Sequence, residues 1–300
     1  MTQRWCVCGL VPHDSGKTWL SLGLALALKA RGIRVKLVKP VAGHSAWHQP
    51  ETIRLSKELG LLVGSDVGKY MEELGLRPSD VPFANPVDLL LAPPSAVSAI
   101  KSRRLRQYVA TLEVSVGQIA LARLPSERLE PRHYVITDVV ERLPRSLESL
   151  VRDLAHALSA EEIELSEFVR LLRSRAIEDR VLRCLDAFTQ GASIVIIESF
   201  NDALAPLPTL VRSIDAFILA GLGVVAVYRD VDRVRKALEA ELALRGEEAL
   251  RASYVLNHVE PTLVIEIDFV SNVRELARSP SINRLLDYLL APRQGVREPR

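Results

Sequence analysis

The apolar run Trp5-Cys6-Val7-Cys8-Gly9-Leu10-Val11 is followed by Ser15-Gly16-Lys17-Thr18 and then by a helical stretch over residues 19–29. A turn between a buried strand and a helix aims backbone N–H groups at one point, where the helix N-terminus adds positive potential. Lys17 brings a full charge to this point, and Thr18 offers a hydroxyl to Mg²⁺. We therefore predict a nucleotide phosphate-binding loop, although Val11 stands where the usual pattern has its first glycine. An ordinary strand-to-helix turn is the alternative.

Apolar runs alternate with helical patterns along the rest of the chain, which predicts an α/β fold with a mostly parallel central sheet and helices on both faces. With the predicted phosphate-binding loop, we expect this to be the P-loop NTPase fold. We expect one domain over residues 1–292, with a variable helical and loop region at about 85–190 and a flexible tail at 293–300. Segment 43–94 is predicted as loop and short helices, and Ser159 as a helix cap. The predicted strands cover residues 4–10, 34–39, 118–122, 134–140, 193–197, 216–220, 224–228, 253–256 and 263–269.

Composition limits the function classes. The net charge of +2 provides no global field for nucleic acid or an anionic membrane, so any nucleic-acid contact would be local, as at the basic cluster 101–106. The chain has no signal-peptide pattern and no apolar run long enough to span a bilayer, so we expect a cytoplasmic protein without a membrane partner. Cys6 and Cys8 share one strand face and are interpreted as buried fillers, with a metal pair as the alternative.

Mg²⁺ on a nucleotide needs hard oxygen ligands close to the phosphates. Thr18 supplies a hydroxyl, and Glu198 ends the apolar run 193–197, where a carboxylate reaches the carboxyl edge of the sheet. Asp66 is a second candidate carboxylate, for which a helix cap is an equally good interpretation. We therefore predict Thr18, Glu198 and Asp66 as metal ligands.

The candidate catalytic residues are Lys17, Lys39 and Asp14. Lys39 ends the second predicted strand, from where its ammonium can reach a phosphoryl group or an acidic substrate, and Asp14 can orient water, metal or substrate. Asn257 follows predicted strand 253–256, a position suited to reading a base edge, although a turn-forming Asn is the alternative. The predicted nucleotide contacts are His13, Ser15, Gly16, Lys17, Thr18, Trp19 and Asn257.

Four segments together resemble the dethiobiotin synthetase family, in the branch of P-loop proteins that also holds MinD-like ATPases. They are residues 9–18, Lys39-Pro40-Val41-Ala42, the strand ending in Glu198, and Val255-Leu256-Asn257-His258-Val259. The resemblance implies ATP as the nucleotide and a homodimer. It also implies that Lys17 holds phosphates, that Thr18, Glu198 and Asp66 hold Mg²⁺, that Lys39 assists at a substrate carbamate, and that Asn257 reads adenine.

Two segments that the family uses for its substrate depart from the family pattern. Ser199-Phe200-Asn201-Asp202 replaces a Gly-rich stretch, and Gly43 replaces a serine. We therefore expect an ATP-dependent phosphoryl-transfer or ligase-type enzyme acting on a small carboxylate- or carbamate-like acceptor that differs from the family's substrate. A regulatory MinD-like or metal-chaperone-like ATPase is the main alternative. A polynucleotide kinase that uses Arg103 as part of a substrate cradle is a further one.

Overall fold

The structure, a computed structural model, describes residues 2–292, apart from the side chain of Glu247. It confirms the predicted α/β class, with strands and flanking helices throughout the described chain. The strands form two mixed sheets, which replaces the expected single central sheet. The chain divides into two compact units: unit 1 comprises Met1–Leu37, Ala192–Ala205 and Leu210–Arg300, and unit 2 comprises Val38–Gly191 and Pro206–Thr209. The variable region expected at about 85–190 falls within unit 2, and the tail expected at 293–300 lies outside the described residues.

The elements have the following bounds. The strands are β1 (Gln3–Gly9), β2 (Val35–Val38), β3 (Val41–Ser45), β4 (Val87–Leu91), β5 (Ile119–Pro125), β6 (Pro131–Ile136), β7 (Glu161–Ile163), β8 (Ile194–Glu198), β9 (Ala216–Gly221), β10 (Val224–Tyr228) and β11 (Leu263–Glu266). The α-helices are α1 (Lys17–Ala30), α2 (Glu51–Leu59), α3 (Ser65–Leu74), α4 (Val81–Ala84), α5 (Val97–Lys101), α6 (Leu105–Glu113), α7 (Thr137–Val140), α8 (Arg145–Ala157), α9 (Leu165–Leu172), α10 (Arg175–Thr189), α11 (Val231–Arg245), α12 (Ala252–Leu256), α13 (Val273–Arg278) and α14 (Pro280–Leu290).

Unit 1 is built on the sheet β11-β10-β9-β1-β8-β2. Strand β1 lies at its centre and pairs in parallel with β8 on one side and β9 on the other. The register places Val7 opposite Glu198 and Gly9 opposite Ala220. Strands β10 and β11 continue the sheet in antiparallel pairing. Because the carboxyl ends of parallel strands meet at one edge, the residues after β1 and the end of β8 lie side by side there.

Helices cover both faces of this sheet. Helix α1 contacts β1, β8, α13 and α14, and nine of its 14 residues are buried. Gly23 allows a close approach to α13, since a Cβ there would lie 3.1 Å from the Cδ2 of Leu276. On the other face, Cys6 and Cys8 pack in an apolar cluster with residues of α11 and α12. Both thiols are buried and free, and burial raises the pKa of Cys8 to about 12, which fits the interpretation as fillers.

Unit 2 is built on the sheet β3-β4-β5-β6-β7. Strands β3 and β4 are parallel, β4–β5 and β5–β6 are antiparallel, and β6 and β7 are again parallel. Strand β5 is buried along its whole length, because α7, α8 and α10 all contact it. Among residues 2–292, no helix combines the length and apolar character needed to cross a membrane.

Segment 43–94 contains the largest error of the prediction. The expected short helices are present as α2 and α3, but the segment also holds most of β3 and all of β4. Pro, Gly and Asn around these strands indicated loop, and Asp88 interrupts the apolar run of β4. Asp88 is nevertheless fully buried, because its Oδ2 accepts a hydrogen bond from the backbone N–H of Gly64 at 3.1 Å. A long-range hydrogen bond thus permits a strand that the local pattern argues against.

Three short segments were also predicted wrongly. Residues 137–140, expected at the end of a strand, form helix α7. Residues 253–256 are helical within α12, where Ala252, Val255 and Leu256 are buried together at the spacing of one helix face. Asn257 therefore terminates a helix and not a strand. Ser159 has a left-handed backbone with φ of 50°, which an N-cap does not adopt, and the acids after it begin β7. At residues 253–256 tertiary burial overrode a weak local signal.

Candidate functional site

The loop between β1 and α1 is a tight turn with an unusual backbone. Asp14 and Gly16 both have left-handed conformations, with φ of 54° and 85°. Gly16 is the N-cap of α1, so the loop ends where the first turn of the helix begins. At Gly9 a Cβ would lie 2.7 Å from both the Nζ of Lys17 and the Oγ of Ser15. The glycine therefore gives the Lys17 side chain room to fold back over the end of β1.

Lys17 lies in an electrostatically costly position. Its side chain is 8% exposed and its ammonium donates a hydrogen bond to the Oγ of Ser15 at 3.1 Å. A cation in the first turn of a helix opposes the helix dipole, and burial removes water from its charge. The same charge lowers the pKa of the nearby Cys8 thiol, although burial of Cys8 outweighs this effect. An anion bound at the helix N-terminus would compensate both costs.

Thr18 and Glu198 form a direct contact that joins α1 to β8. The Oγ1 of Thr18 donates a hydrogen bond to the Oε1 of Glu198 at 2.8 Å, and Glu198 is fully buried at the end of its strand. The backbone N–H of Ser199 donates to the carbonyl of Val7 at 2.9 Å and so keeps β8 aligned with β1 beyond the carboxylate. A hydroxyl and a carboxylate are the hard oxygen ligands that Mg²⁺ prefers. The prediction that these two residues act at one place is consistent with this geometry.

A cleft of about 530 Å³ lies in unit 1 at the end of β1. Its apolar wall includes Leu10, the first residue of the loop. Asn257 belongs to its polar lining, so the loop and the predicted base-reading residue border the same space. The complete lining is Leu10, Leu219, Tyr228, Ser253, Leu256, Asn257, His258, Val259, Glu260 and Pro261.

His258 is held at the rim of this cleft by a buried acid. Its Nε2 lies 2.8 Å from the Oε1 of Glu241, and the Nε of Arg245 donates to the Oε2 of Glu241 at 2.7 Å. The hydrogen bond with His258 is the main cause that lowers the pKa of Glu241, so this carboxylate is ionised. The Arg245 guanidinium in turn lies over the ring of Tyr254 at 4.8 Å. These contacts orient His258, the residue next to Asn257.

Most of the remaining predicted nucleotide-contact residues are on the surface. His13, Asp14, Gly16 and Trp19 are exposed, whereas Ser15 is buried under Lys17. The predicted roles of His13, Asp14 and Trp19 in nucleotide contact or catalysis therefore concern side chains that a ligand can reach. Their roles stay predictions.

Lys39 and Asp66 belong to unit 2 and form an ion pair with each other. Lys39 is buried directly after β2, and Asp66 lies in the first turn of α3. Asp66 thus has a cation as its partner and a helix N-terminus beside it, both of which favour its ionised form. Its predicted role as a metal ligand, and that of Lys39 at the substrate, stay predictions.

A buried polar network runs through unit 2. His44 lies between Thr52 and Asp88, with Nδ1 2.8 Å from the Thr52 hydroxyl and Nε2 3.0 Å from the Oδ1 of Asp88. Arg123 is fully buried and donates to the backbone carbonyl and the side-chain oxygen of Asn85 at 2.6 and 2.7 Å. Since the Asn85 amide donates to the carbonyl of Lys39 at 2.7 Å, the network fixes the chain after β2.

The surroundings of His133, also in unit 2, define the protonation state of its imidazole. It is 7% exposed, and its Nε2 accepts a hydrogen bond from the backbone N–H of Leu62 at 3.2 Å, which only the unprotonated nitrogen can do. Burial, with the charge of Arg123 second, lowers its pKa to about 4. The folded protein therefore holds this imidazole neutral.

We expect His133 to make unit 2 sensitive to acid. Its folded pKa lies below the ordinary value of 6.5, so its contribution to stability is complete above pH 6.5 and is lost as the pH falls towards 4. The loss amounts to roughly 3 kcal/mol at the acid end. Urea unfolding between pH 7 and 4 should show a smaller pH slope for His133→Gln than for the wild type. His156→Gln, at an exposed histidine of α8, should keep the wild-type slope; equal slopes in all three proteins would contradict the assignment.

Within residues 2–292, no group of three or more His, Cys, Asp or Glu side chains is arranged to hold a metal ion. His44 is inside the network, whereas His13 and His48 are exposed. Thr18 and Glu198 would form an incomplete ligand set, which is the usual case for Mg²⁺ that arrives with phosphates and water.

Two features of the candidate site were not predicted from the sequence: the contact of Glu241 with His258 and the apolar lining of the cleft. The Glu241–His258 contact spans 17 residues, and only the spacing of Glu241 and Arg245, four residues apart on α11, indicated an ion pair. The apolar lining of the cleft comes from strands, loops and helix α12, which lie far apart in the chain, and no local pattern marks it.

Comparison with protein-family models, curated proteins and solved structures finds no match for this chain.

Proposed function

We propose that the protein is a Mg-ATP-dependent enzyme that transfers the γ-phosphoryl group to a small carboxylate- or carbamate-like acceptor. The observation that carries the proposal is the contact of Thr18 with Glu198, directly after the buried Lys17 at the N-terminus of α1. A cation, the N-terminal backbone of a helix, a hydroxyl and a carboxylate all lie at one sheet edge. This combination suits a phosphate chain with its metal ion.

Each of these groups has a distinct role in the proposed reaction. Lys17 binds the β- and γ-phosphate oxygens and stabilises the charge that develops on them. Thr18 and Glu198 would hold Mg²⁺, which when bound neutralises phosphate charge. An acceptor oxygen attacks the γ-phosphorus, the bond to the bridging oxygen breaks, and ADP leaves. Asp14, exposed on the loop, orients the acceptor or water in this proposal.

The cleft beside the loop is the proposed site of the nucleobase. Leu10, Leu256 and Val259 give it apolar walls for a flat ring, and Asn257 supplies both a hydrogen-bond donor and an acceptor. An asparagine amide matches the adjacent donor and acceptor of adenine. The proposal therefore favours ATP over GTP.

Replacing Asn257 by alanine should weaken ATP binding about 5- to 150-fold, which corresponds to the loss of one bidentate contact to adenine. Inorganic triphosphate serves as the matched control ligand, because it occupies the phosphate loop without a base. Calorimetry should show unchanged triphosphate affinity in the variant. Equal losses for ATP and triphosphate would place the effect of Asn257 on the fold of the loop, and no loss for ATP would remove the base assignment.

The enzyme class is tested by phosphate release with Mg-ATP in the presence of carboxylates, of diamines with bicarbonate, and of oligonucleotides. Release that rises with one small acceptor only would establish an acceptor-dependent enzyme. Tight ATP binding with slow release that no acceptor changes would replace it with a regulatory ATPase, in which hydrolysis drives partner exchange. The homodimer that the resemblance implies is part of the proposal and is measured by light scattering with and without ATP.

A further inference from the structure

Helices α5 and α6 of unit 2 expose an unusual amount of apolar surface. Val97 and Ile100 of α5 are 57% and 61% exposed, and Leu105 and Val109 of α6 are both 54% exposed. The spacings of three and four residues put each pair on one side of its helix. Beside them, Tyr108 is half-buried and donates a hydrogen bond to the carbonyl of Pro94 at 2.9 Å. Only part of the apolar side of α6 is therefore covered by the protein itself.

The same segment carries an uncompensated positive charge. Lys101, Arg103, Arg104 and Arg106 are all exposed, and Glu113 is the single acid between residues 95 and 118. Throughout the described chain, none of these four cations forms an ion pair. Surface arginines elsewhere do so with acids three or four residues away, among them Arg54, Arg77 and Arg152.

We propose that these four cations and four aliphatic side chains, the basic–aliphatic patch, dock the protein onto an anionic lipid surface. A Lys or Arg close to such a surface strengthens binding about fivefold, and aliphatic side chains add to it by entering the boundary between headgroups and acyl chains. Because the whole chain is close to neutral, attraction to such a surface requires a local concentration of cations, and this patch provides one.

Other occupants fit the patch less well. A second copy of the chain would bring two groups of unpaired cations together, which electrostatic repulsion opposes. A single-stranded nucleic acid would gain from aromatic stacking platforms, whereas Val97, Ile100, Leu105 and Val109 are all aliphatic. A protein partner is less favoured for a related reason, since interface hot spots are dominated by aromatic residues and arginine, with Leu and Val under-represented.

Flotation with vesicles tests the proposal on the full chain. Vesicles of phosphatidylcholine and phosphatidylglycerol in equal parts should bind the protein, with affinity falling as salt rises, and vesicles of phosphatidylcholine alone should bind it much less. The double variant Arg103→Gln, Arg104→Gln should lose about 25-fold in partitioning, from two cations. The double variant Leu105→Ser, Val109→Ser should also bind less. All four side chains are exposed, so the fold should persist, which circular dichroism can verify.

Two matched controls separate the patch from general surface effects. Arg54→Gln removes a paired exposed cation, and Leu244→Ser removes an exposed leucine of unit 1; both should leave vesicle binding unchanged. Absence of binding to the mixed vesicles would overturn the proposal. Equal binding to both vesicle types, or a loss shared by the controls, would also overturn it. Binding to a single-stranded oligonucleotide but not to vesicles, lost in Arg103→Glu with Arg104→Glu, would reassign the patch to nucleic acid.

Discussion

Lys17→Ala is expected to lower the affinity for Mg-ATP by two orders of magnitude or more. Charge-assisted hydrogen bonds contribute about 1.5–3 kcal/mol each, and the ammonium can make more than one of them to the phosphates. Calorimetric titration of the variant with Mg-ATP measures the loss directly. The thermal shift caused by ATP should disappear with it, since a ligand stabilises a protein only as far as it binds the folded state.

The same variant should remain folded without ligand. The substitution removes a buried cation from the first turn of α1, where the helix dipole disfavours it, and gives up its hydrogen bond to Ser15. These effects have opposite signs, so we expect the unfolding temperature of the free protein to change by a few degrees at most, on the order of 1 kcal/mol. Lys236→Ala, at an exposed position of α11, is the matched control. An affinity of Lys17→Ala for Mg-ATP within tenfold of the wild-type value would contradict the phosphate-loop assignment.

Glu198→Gln is expected to keep ATP binding and to reduce Mg²⁺-dependent turnover at least 100-fold, or about 2.7 kcal/mol in the barrier. The amide has nearly the shape of the carboxylate and still accepts the hydrogen bond from Thr18, but it is a poor ligand for Mg²⁺. Phosphate release measured over a range of Mg²⁺ concentrations gives both the rate and the apparent metal affinity. A weaker metal affinity with intact ATP binding is the expected combination.

Stability provides an independent readout for this variant. A fully buried carboxylate is costly to desolvate, so the neutral amide should leave the free protein as stable as the wild type or more stable. Glu239→Gln, an exposed position on α11, should change neither turnover nor stability. Full turnover in Glu198→Gln would move the metal ligand to another residue, and a protein that unfolds would assign Glu198 a role in folding instead.

The first strand, the loop and the first helix were predictable because their signals are local. An apolar β-branched run, a glycine-containing turn and a helix that is apolar almost all round each specify a conformation without help from distant residues. The predicted strand 4–10 differs from Gln3–Gly9 by one residue at each end, and the predicted helical stretch 19–29 lies within Lys17–Ala30. The apolar strand 193–197 and the glutamate that follows it were predictable for the same reason.

Short segments with mixed signals were not predictable in this way. The run Tyr254-Val255-Leu256 has a strand composition, yet it is helical because Ala252, Val255 and Leu256 share one buried face. Strand β4 contains Asp88, whose burial depends on a hydrogen bond from Gly64, 24 residues earlier. Local propensity contributes less than about 1 kcal/mol per residue, whereas complete burial of one large apolar side chain contributes about 1.5–3 kcal/mol, so packing decides such segments.

The sequence by itself determined the chemistry of the candidate site: a lysine and a threonine at the start of a helix, and a glutamate at the end of an apolar strand. The tertiary structure alone decided that Thr18 and Glu198, 180 residues apart, share a hydrogen bond, and that Leu10 and Asn257 border one cleft. The physical reason is that the local conformation of a turn, a strand or a helix end follows from short-range sterics and hydrogen bonding. The meeting of distant residues follows from how the strands order themselves when a whole unit buries its apolar surface.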